Sequence, residues 1–365
     1  MLDIDWLFRR DHSDLVPYTP VLPPESLAKL GNVQVADVIK LNANENPYGP
    51  SPRVKAALGS YNGYNIYPDP DQSSIRALLA EYVGVPSDYI IAGSGADEII
   101  DLVLRATIDP GDTVIDCPPT FGMYSFSTNV NGGSIISIPR NSEFNIDIPS
   151  VHKNIRDNTK VIFVTSPNNP TGNIISESDI NELLQYGRLV VLDEAYSEFS
   201  GSTLVSLVHR NPNLIVLRTA SKWCGLAGLR LGYGIMDPKI LQKLMSIKQP
   251  YNINTAAEIA LAASLEDLVL LKENVEKIVA ERIRLFDKLS SMDNVTPYPS
   301  HGNFILCSFS GIGARDVYEA MASRGIFVRY FNVPELRDYI RISIGIPEHM
   351  DKLVDCLTNI LGQTI

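Results

Sequence analysis

The sequence predicts an α/β protein: a large, doubly wound, mostly parallel sheet followed by a smaller α+β domain. Three observations carry this. Short apolar runs at residues 113–115, 161–164, 189–192 and 214–217 are each bounded by turn residues, as strands buried on both faces are. Helical patterns such as 97–106 and 177–186 alternate with those runs, which winds a sheet on both sides. Past Asn254 the texture changes to a long helical pattern followed by shorter strands and helices. The chain of 365 residues is long enough for roughly two domains and a large buried core.

Residues 1–40 read as an irregular arm joining the small domain, because Pro17, Pro20, Pro23 and Pro24 break any early helix. The large domain is expected over 41–250. Within it, 74–82 has helical apolar spacing, 89–92 is a short strand, and 97–106 is a helix with apolar residues nearly all round. The small domain, 251–365, opens on a helical pattern over 255–289 that is weakly interrupted at Glu266-Asp267. Strands at 303–308, 326–329 and 339–343 follow, with helices at 314–324 and 348–361. No internal repeat or low-complexity tract is visible.

Charge and composition narrow the function. With 31 Lys+Arg against 42 Asp+Glu the formal charge is −11, so no basic surplus exists to neutralise a nucleic-acid backbone. Local basic sites for small anions remain open. The opening Met1-Leu2-Asp3-Ile4-Asp5 carries acids early and lacks a long apolar run, unlike a signal peptide. No apolar stretch is long enough for a spanning helix, so a cytoplasmic protein without membrane partners is expected. Cys117, Cys224, Cys307 and Cys356 are scattered, and so are His12, His152, His209, His301 and His349. That spacing speaks against both a zinc site and a disulfide framework, and no metal is expected.

Four segments carry chemistry. Gly93-Ser94-Gly95-Ala96-Asp97-Glu98 lies between a strand and a helix, where backbone N–H groups and a helix N-terminus suit a phosphate; a plain tight turn is the alternative. Glu98 stands where a dinucleotide fingerprint needs its third glycine. Ser166-Pro167-Asn168-Asn169-Pro170-Thr171-Gly172 is a turn after a strand that presents Asn168 or Asn169 at the sheet edge. Asp193-Glu194-Ala195-Tyr196 follows a strand's carboxyl end, where open sheets place ligands. Asp193 there can pair with a cationic ring nitrogen, a magnesium ion or a hydroxyl, or simply cap a helix. Finally, Lys222 sits in the segment Thr219–Tyr233, uncharged except for itself and Arg230 and rich in glycine (Gly225, Gly228, Gly232). A desolvated lysine there becomes a nucleophilic amine able to form an imine, and Arg230 could hold the other end of an anionic carbonyl cofactor.

Together, Ser-Pro-Asn-Asn-Pro-Thr-Gly, Asp-Glu-Ala-Tyr and Ser-Lys-x-x-Gly-Leu-Ala-Gly-Leu-Arg-x-Gly-Tyr resemble the fold-type I pyridoxal-phosphate aminotransferases. Leu41-Asn42-Ala43-Asn44-Glu45-Asn46-Pro47-Tyr48-Gly49 and Tyr67-Pro68-Asp69-Pro70 narrow the resemblance to histidinol-phosphate aminotransferases of histidine biosynthesis. It runs from Val16-Pro17-Tyr18 to Arg341-Ile342-Ser343-Ile344-Gly345. Two places depart from the family pattern: Trp223-Cys224, where a small residue followed by an aromatic one is usual, and His301-Gly302 before Asn303-Phe304.

The resemblance implies a pyridoxal 5'-phosphate-binding large domain and assigns roles by position. Lys222 would bond covalently to the cofactor and later move the proton between substrate and cofactor carbons. Asp193 would pair with the ring nitrogen, Asn169 and Tyr196 with the phenolic oxygen, and Phe121 or Tyr124 would lie against the ring. The phosphate would rest in the Gly95 turn on the N–H groups of Ala96 and Asp97, with Ser221 and Arg230 adding contacts. Tyr67 would reach the neighbouring subunit's phosphate across a homodimer interface. Arg329 and Arg341 would hold the substrate anion, with Tyr18 and Asn44 lining the pocket. The implied reaction is transamination from L-histidinol phosphate to 2-oxoglutarate, giving imidazole acetol phosphate and L-glutamate. An aromatic amino-acid aminotransferase and a threonine-phosphate decarboxylase-like enzyme are the alternatives on the same scaffold. A regulator built on such a domain would need an appended DNA-binding module, for which the chain has no spare residues.

Overall fold

The structure is a computed structural model that describes residues 4–7, 9, 15 and 17–362. Met1 to Asp3, His12 and Val16, named above, lie outside those residues. The chain enters through α1 (Pro24–Gly31) and β1 (Ile39–Leu41), then α2 (Pro52–Ser60) and α3 (Ser73–Val83). Contrary to the expectation above, the prolines of the arm do not abolish a helix there. Pro23 is the N-cap and Pro24 the first helical residue of α1, where a missing N–H costs nothing and the fixed φ is already helical.

The large sheet is built from β2 (Ile90–Ser94), β3 (Thr113–Asp116), β4 (Ser134–Ser137), β5 (Thr159–Thr165), β6 (Leu189–Asp193), β7 (Leu214–Thr219) and β8 (Leu231–Met236). Helices α4 (Ala96–Thr107), α5 (Met123–Val130), α6 (Ile148–Asn154), α7 (Glu177–Gln185), α8 (Ser197–Ser200) and α9 (Pro238–Ile247) lie between and after these strands. The strand order β2-β8-β7-β6-β5-β3-β4 is parallel from β7 to β4, while β8 runs antiparallel to both its neighbours. The doubly wound, mostly parallel class is therefore borne out. Alternate strand residues feed two cores: Val190, Leu192, Leu214 and Val216 on one face, Val191, Ile215 and Leu217 on the other.

The helical pattern over 255–289 breaks fully at the interruption read at Glu266-Asp267, into α10 (Thr255–Glu266) and α11 (Leu268–Ser290). Asp267 ends one and precedes the other, and Arg53 pairs with both Glu266 and Asp267 at 3.0 Å. β9 (Val295–Pro297), β10 (Phe304–Phe309), α12 (Ala314–Ala322), β11 (Ile326–Tyr330), β12 (Tyr339–Ser343) and α13 (Pro347–Leu361) complete the chain. The smaller sheet has the order β1-β11-β12-β10-β9, so its edge strand comes from the opposite end of the sequence and pairs parallel to β11. Among the described residues no helix is long and apolar enough to cross a membrane.

Candidate active site

The carboxyl ends of β5, β6 and β7 deliver Thr165, Asp193 and Thr219 to one cavity of about 150 Å³. Strands in parallel register end together, so the loops that follow them converge; this is where an open sheet binds its ligands. The loop after β6 adds Ala195 and Tyr196, and the segment after β7 adds Ser221, Lys222, Ala227 and Arg230. Ala96 and Asp97 at the start of α4, together with Phe121 and Asn169, close the rest.

Asp193 is buried, and its carboxylate accepts hydrogen bonds from the Tyr124 hydroxyl at 2.7 Å and the Ala195 N–H at 2.9 Å. Burial pushes its carboxyl up to about 6, against the lowering effect of those two donors. A cationic partner in the cavity would draw it down again. Tyr124 stacks on Phe163 and braces Asp193 from behind, while Phe121 is the aromatic ring that faces the cavity. That division between the two rings was open in the sequence.

Lys222 is half-buried and its amine donates to the Ala43 carbonyl at 3.0 Å. Burial first, then the positive charge of Arg341, brings the amine down to about 8, within reach of a neutral nucleophile. Asn44, fully buried, donates to the Tyr196 hydroxyl at 3.0 Å and accepts from Ser343 at 2.8 Å. Burial pushes the Tyr196 phenol up to about 12, so it stays neutral and able to donate.

The phosphate-type cradle has a backbone cause. Gly95 has φ of +81°, and a Cβ there would run into the Arg230 guanidinium. Gly232 on β8 lets that strand pass against the Ala96 backbone nitrogen, which a side chain would block. Arg230 itself adopts φ of +56°, uncommon for a residue with a Cβ, and reaches Asp97 at 3.1 Å. Ser221, buried on the cavity wall, completes this end.

Arg341 on β12 is buried; it donates to Asn169 Oδ1 at 2.5 Å and the Asn42 carbonyl at 2.7 Å, while its Nε has no partner among the described residues. Burial lowers it to about 10. Arg329 lies further out and donates to the Thr19 carbonyl at 2.8 Å, and Tyr18 touches Phe121 edge-on. Tyr67 is not brought to this cavity: it is 77% exposed and stacks on Tyr251 with centroids 4.5 Å apart. Of the Asn pair, Asn169 faces the cavity, whereas Asn168 is buried and bonds Pro119, Thr120 and Thr171 to brace the turn. Sequence reading missed Thr165, Thr219, Ala195 and Ala227; the first two are last residues of parallel strands, and that position was the available signal.

Neither departure from the family pattern lines the cavity. Trp223 is buried and stacks on Tyr82 at 4.9 Å. The His301 N–H donates to the Gly172 carbonyl, and Arg282 donates to the Gly302 carbonyl at 2.6 Å. The loop therefore docks on the Asn168 turn rather than into the site.

A lysine amine lowered by burial, a buried carboxylate and a glycine turn beside an arginine meet at the strand ends of a doubly wound sheet, the arrangement of an aminotransferase-type enzyme. Residues 36–357 match the aminotransferase class I and II family, and the chain belongs to that family. Within it the chain falls among the histidinol-phosphate aminotransferases. The one from Roseiflexus castenholzii is 47% identical over 366 residues, covering 98% of this chain and 99% of its own. That from Dehalococcoides mccartyi strain CBDB1 is 46% identical and covers 96% of each. The crystal structure of the Sinorhizobium meliloti histidinol-phosphate aminotransferase in complex with pyridoxal-5'-phosphate superposes with a TM-score of 0.86 at 27% identity, covering 97% of this chain and 98% of that one.

Proposed function

We propose that this chain transfers the amino group of L-histidinol phosphate to 2-oxoglutarate with pyridoxal 5'-phosphate as cofactor, yielding imidazole acetol phosphate and L-glutamate. The observation that carries the reading is Lys222, an amine lowered to about 8, in one cavity with the Asp193 carboxylate and the Arg230 end of α4. The donor set fits the cofactor group by group: an amine for the aldehyde, a carboxylate for the ring nitrogen, hydroxyl and amide donors for the phenolic oxygen, and N–H groups with a guanidinium for the phosphate.

When bound, pyridoxal phosphate supplies an aldehyde that condenses with amines and a ring that accepts a carbanion's electron pair. Lys222 would hold the cofactor through its amine, and its Nζ, near 8, can both accept and return a proton. Asp193 would keep a proton on the ring nitrogen. Asn169 and Tyr196 would orient the phenolic oxygen, and Phe121 would shield the ring from water. Ala96 and Asp97 N–H groups, Ser221 and Arg230 would bind the phosphate. The unpartnered Nε of buried Arg341 supports its assignment to the substrate anion.

The two arginines separate the substrates. Arg341→Ala should damage both half-reactions, because either substrate presents an anion there. Arg329→Ala should impair glutamate and histidinol phosphate more than phenylalanine. Losing a buried charge partner costs roughly 2–5 kcal/mol, so kcat/KM should fall by tens- to thousands-fold. Equal loss for every substrate would refute the assignment of Arg329. Incubation with histidinol phosphate, phenylalanine or phosphothreonine, followed by assay for keto product and carbon dioxide, separates the proposed activity from an aromatic transaminase and from a decarboxylase.

The proposal includes a cytoplasmic homodimer divided into an arm (1–40), a large domain (41–250) and a small domain (251–365). Exposed Tyr64, Ile66, Tyr67 and Tyr251 form an apolar patch, which supports a site shared between two copies through Tyr67. Refolding inactive Lys222→Ala and Tyr67→Ala chains together should restore activity, since a hybrid then holds one site with both residues intact. Hybrids verified by differential tagging yet inactive would mean that Tyr67 serves its own chain.

A further inference from the structure

Among the described residues the most deeply buried ion pair joins Arg218 to Glu194, and no step above uses it. Both lie on the sheet face opposite the cavity: Arg218 continues the face of Leu214 and Val216, and Glu194 that of Val190 and Leu192. Arg218 Nη2 and Nε reach one Glu194 oxygen at 2.8 and 3.1 Å. Thr203 closes the triangle, accepting from Arg218 at 2.6 Å and donating to Glu194 at 2.7 Å, and the Leu204 N–H donates to the other Glu194 oxygen at 2.6 Å.

The pair ties together the ends of the two strands that matter most. Glu194 directly follows Asp193, and its N–H donates to the Leu217 carbonyl on β7, one residue before Arg218. Thr219 to Lys222 follow at once. A buried ion pair adds little net stability over apolar packing, so the location of this one calls for another account. We propose that Arg218 is a positioning residue of the reaction: it neutralises Glu194 behind the sheet and locks the ends of β6 and β7, which keeps the Asp193 carboxylate charged and in register with the Lys222 segment. This rests on the function proposed above.

Charged and titratable groups surround Asp193 on several elements. Tyr124 on α5 donates to it, Asp97 at the start of α4 and Glu194 beside it add negative charge, and Tyr196 and Lys222 share its cavity. Burial is the largest influence raising its carboxyl, and the charges of Asp97 and Glu194 act in the same direction. The Glu194 contribution is the one that Arg218 opposes. Beyond Arg218 lies Glu198, 3.8 Å away, which Tyr82 also contacts at 3.3 Å.

The test uses two substitutions that must act in opposite senses. Arg218→Met leaves the Glu194 charge unopposed, so the acid limb of the kcat profile should move up by about half to one pH unit, with KM little changed. Glu194→Gln removes that charge, so the limb should move down by about half a unit. The double variant should return toward the parent. Infrared titration of the apoprotein gives a readout independent of turnover: the Asp193 carboxyl band, identified by its loss in Asp193→Asn, should shift its midpoint in the same two senses. If Arg218→Met fails to fold, Glu194→Gln decides alone. Unchanged midpoints, or shifts in one common sense, overturn the inference and leave the pair a purely structural contact. Borohydride trapping of the parent enzyme guards the underlying reading: a pyridoxyl label away from Lys222 would refute the proposed cofactor site, whereas a label on Lys222 with unmoved midpoints refutes only the role of Arg218.

Discussion

Replacing Lys222 by alanine should lower turnover by about 10³-fold or more while leaving part of the cofactor affinity in place. The asymmetry follows from how the site is divided. The Gly95 turn, the N-terminus of α4, Ser221 and Arg230 lie in elements that do not depend on the lysine side chain, so a phosphate should still be held. The proton shuttle and the covalent attachment disappear together, because both reside in one amine. Borohydride reduction and peptide mapping of the parent should place the pyridoxyl group on Lys222, and a label elsewhere ends the assignment. The pH dependence is also fixed in sign. Since the neutral amine is the nucleophile and burial lowers Lys222 to about 8, capture of the cofactor by the apoprotein should accelerate with rising pH and level off above that value.

Asp193→Asn should reduce transamination by at least about a hundredfold, far more than it weakens cofactor binding. An amide has nearly the shape of the carboxylate and can keep the contacts with Tyr124 and the Ala195 N–H in altered polarity. What it cannot do is hold a proton on a ring nitrogen by charge. The parent should lose activity as pH falls through the range where Asp193 takes up a proton; a bound cationic ring would move that range below the value of about 6 set by burial. The asparagine variant should lack this limb. A variant with near-normal turnover would reduce Asp193 to a partner of the local backbone.

Much of the site was legible because strand ends in a parallel sheet are marked twice, by an apolar run and by the turn residues that stop it. Asp193 at the end of β6 and Lys222 after β7 each follow such a run, and all four segments singled out in the sequence contribute to one cavity. Long-range pairing was not legible. Nothing local to residues 39–41 says that this short strand joins β11, nor does residue 231 announce that β8 runs against its neighbours. Helices α2, α5, α6 and α8 were missed because they are short and packing holds them more than internal periodicity does; α9 was missed although it carries a periodic apolar face with Leu241 and Leu244 buried. The supporting role of Tyr124 was ambiguous because an aromatic ring beside a cofactor and one behind a carboxylate look alike in sequence.

Because β1 is an edge strand of the smaller sheet, the chain passes between the two sheets twice, once after Leu41 and again near α10 and α11. A body attached at two separate points swings like a door rather than a ball on a string: two tethers leave essentially one axis of rotation. The first tether is the stretch Asn42-Ala43-Asn44, whose atoms touch Arg341, Lys222 and Tyr196. The strap is bonded to the smaller sheet through Arg341 and Ser343 and to the larger through Lys222 and Tyr196, so any swing of the smaller sheet would strain the contacts with Lys222 and Tyr196.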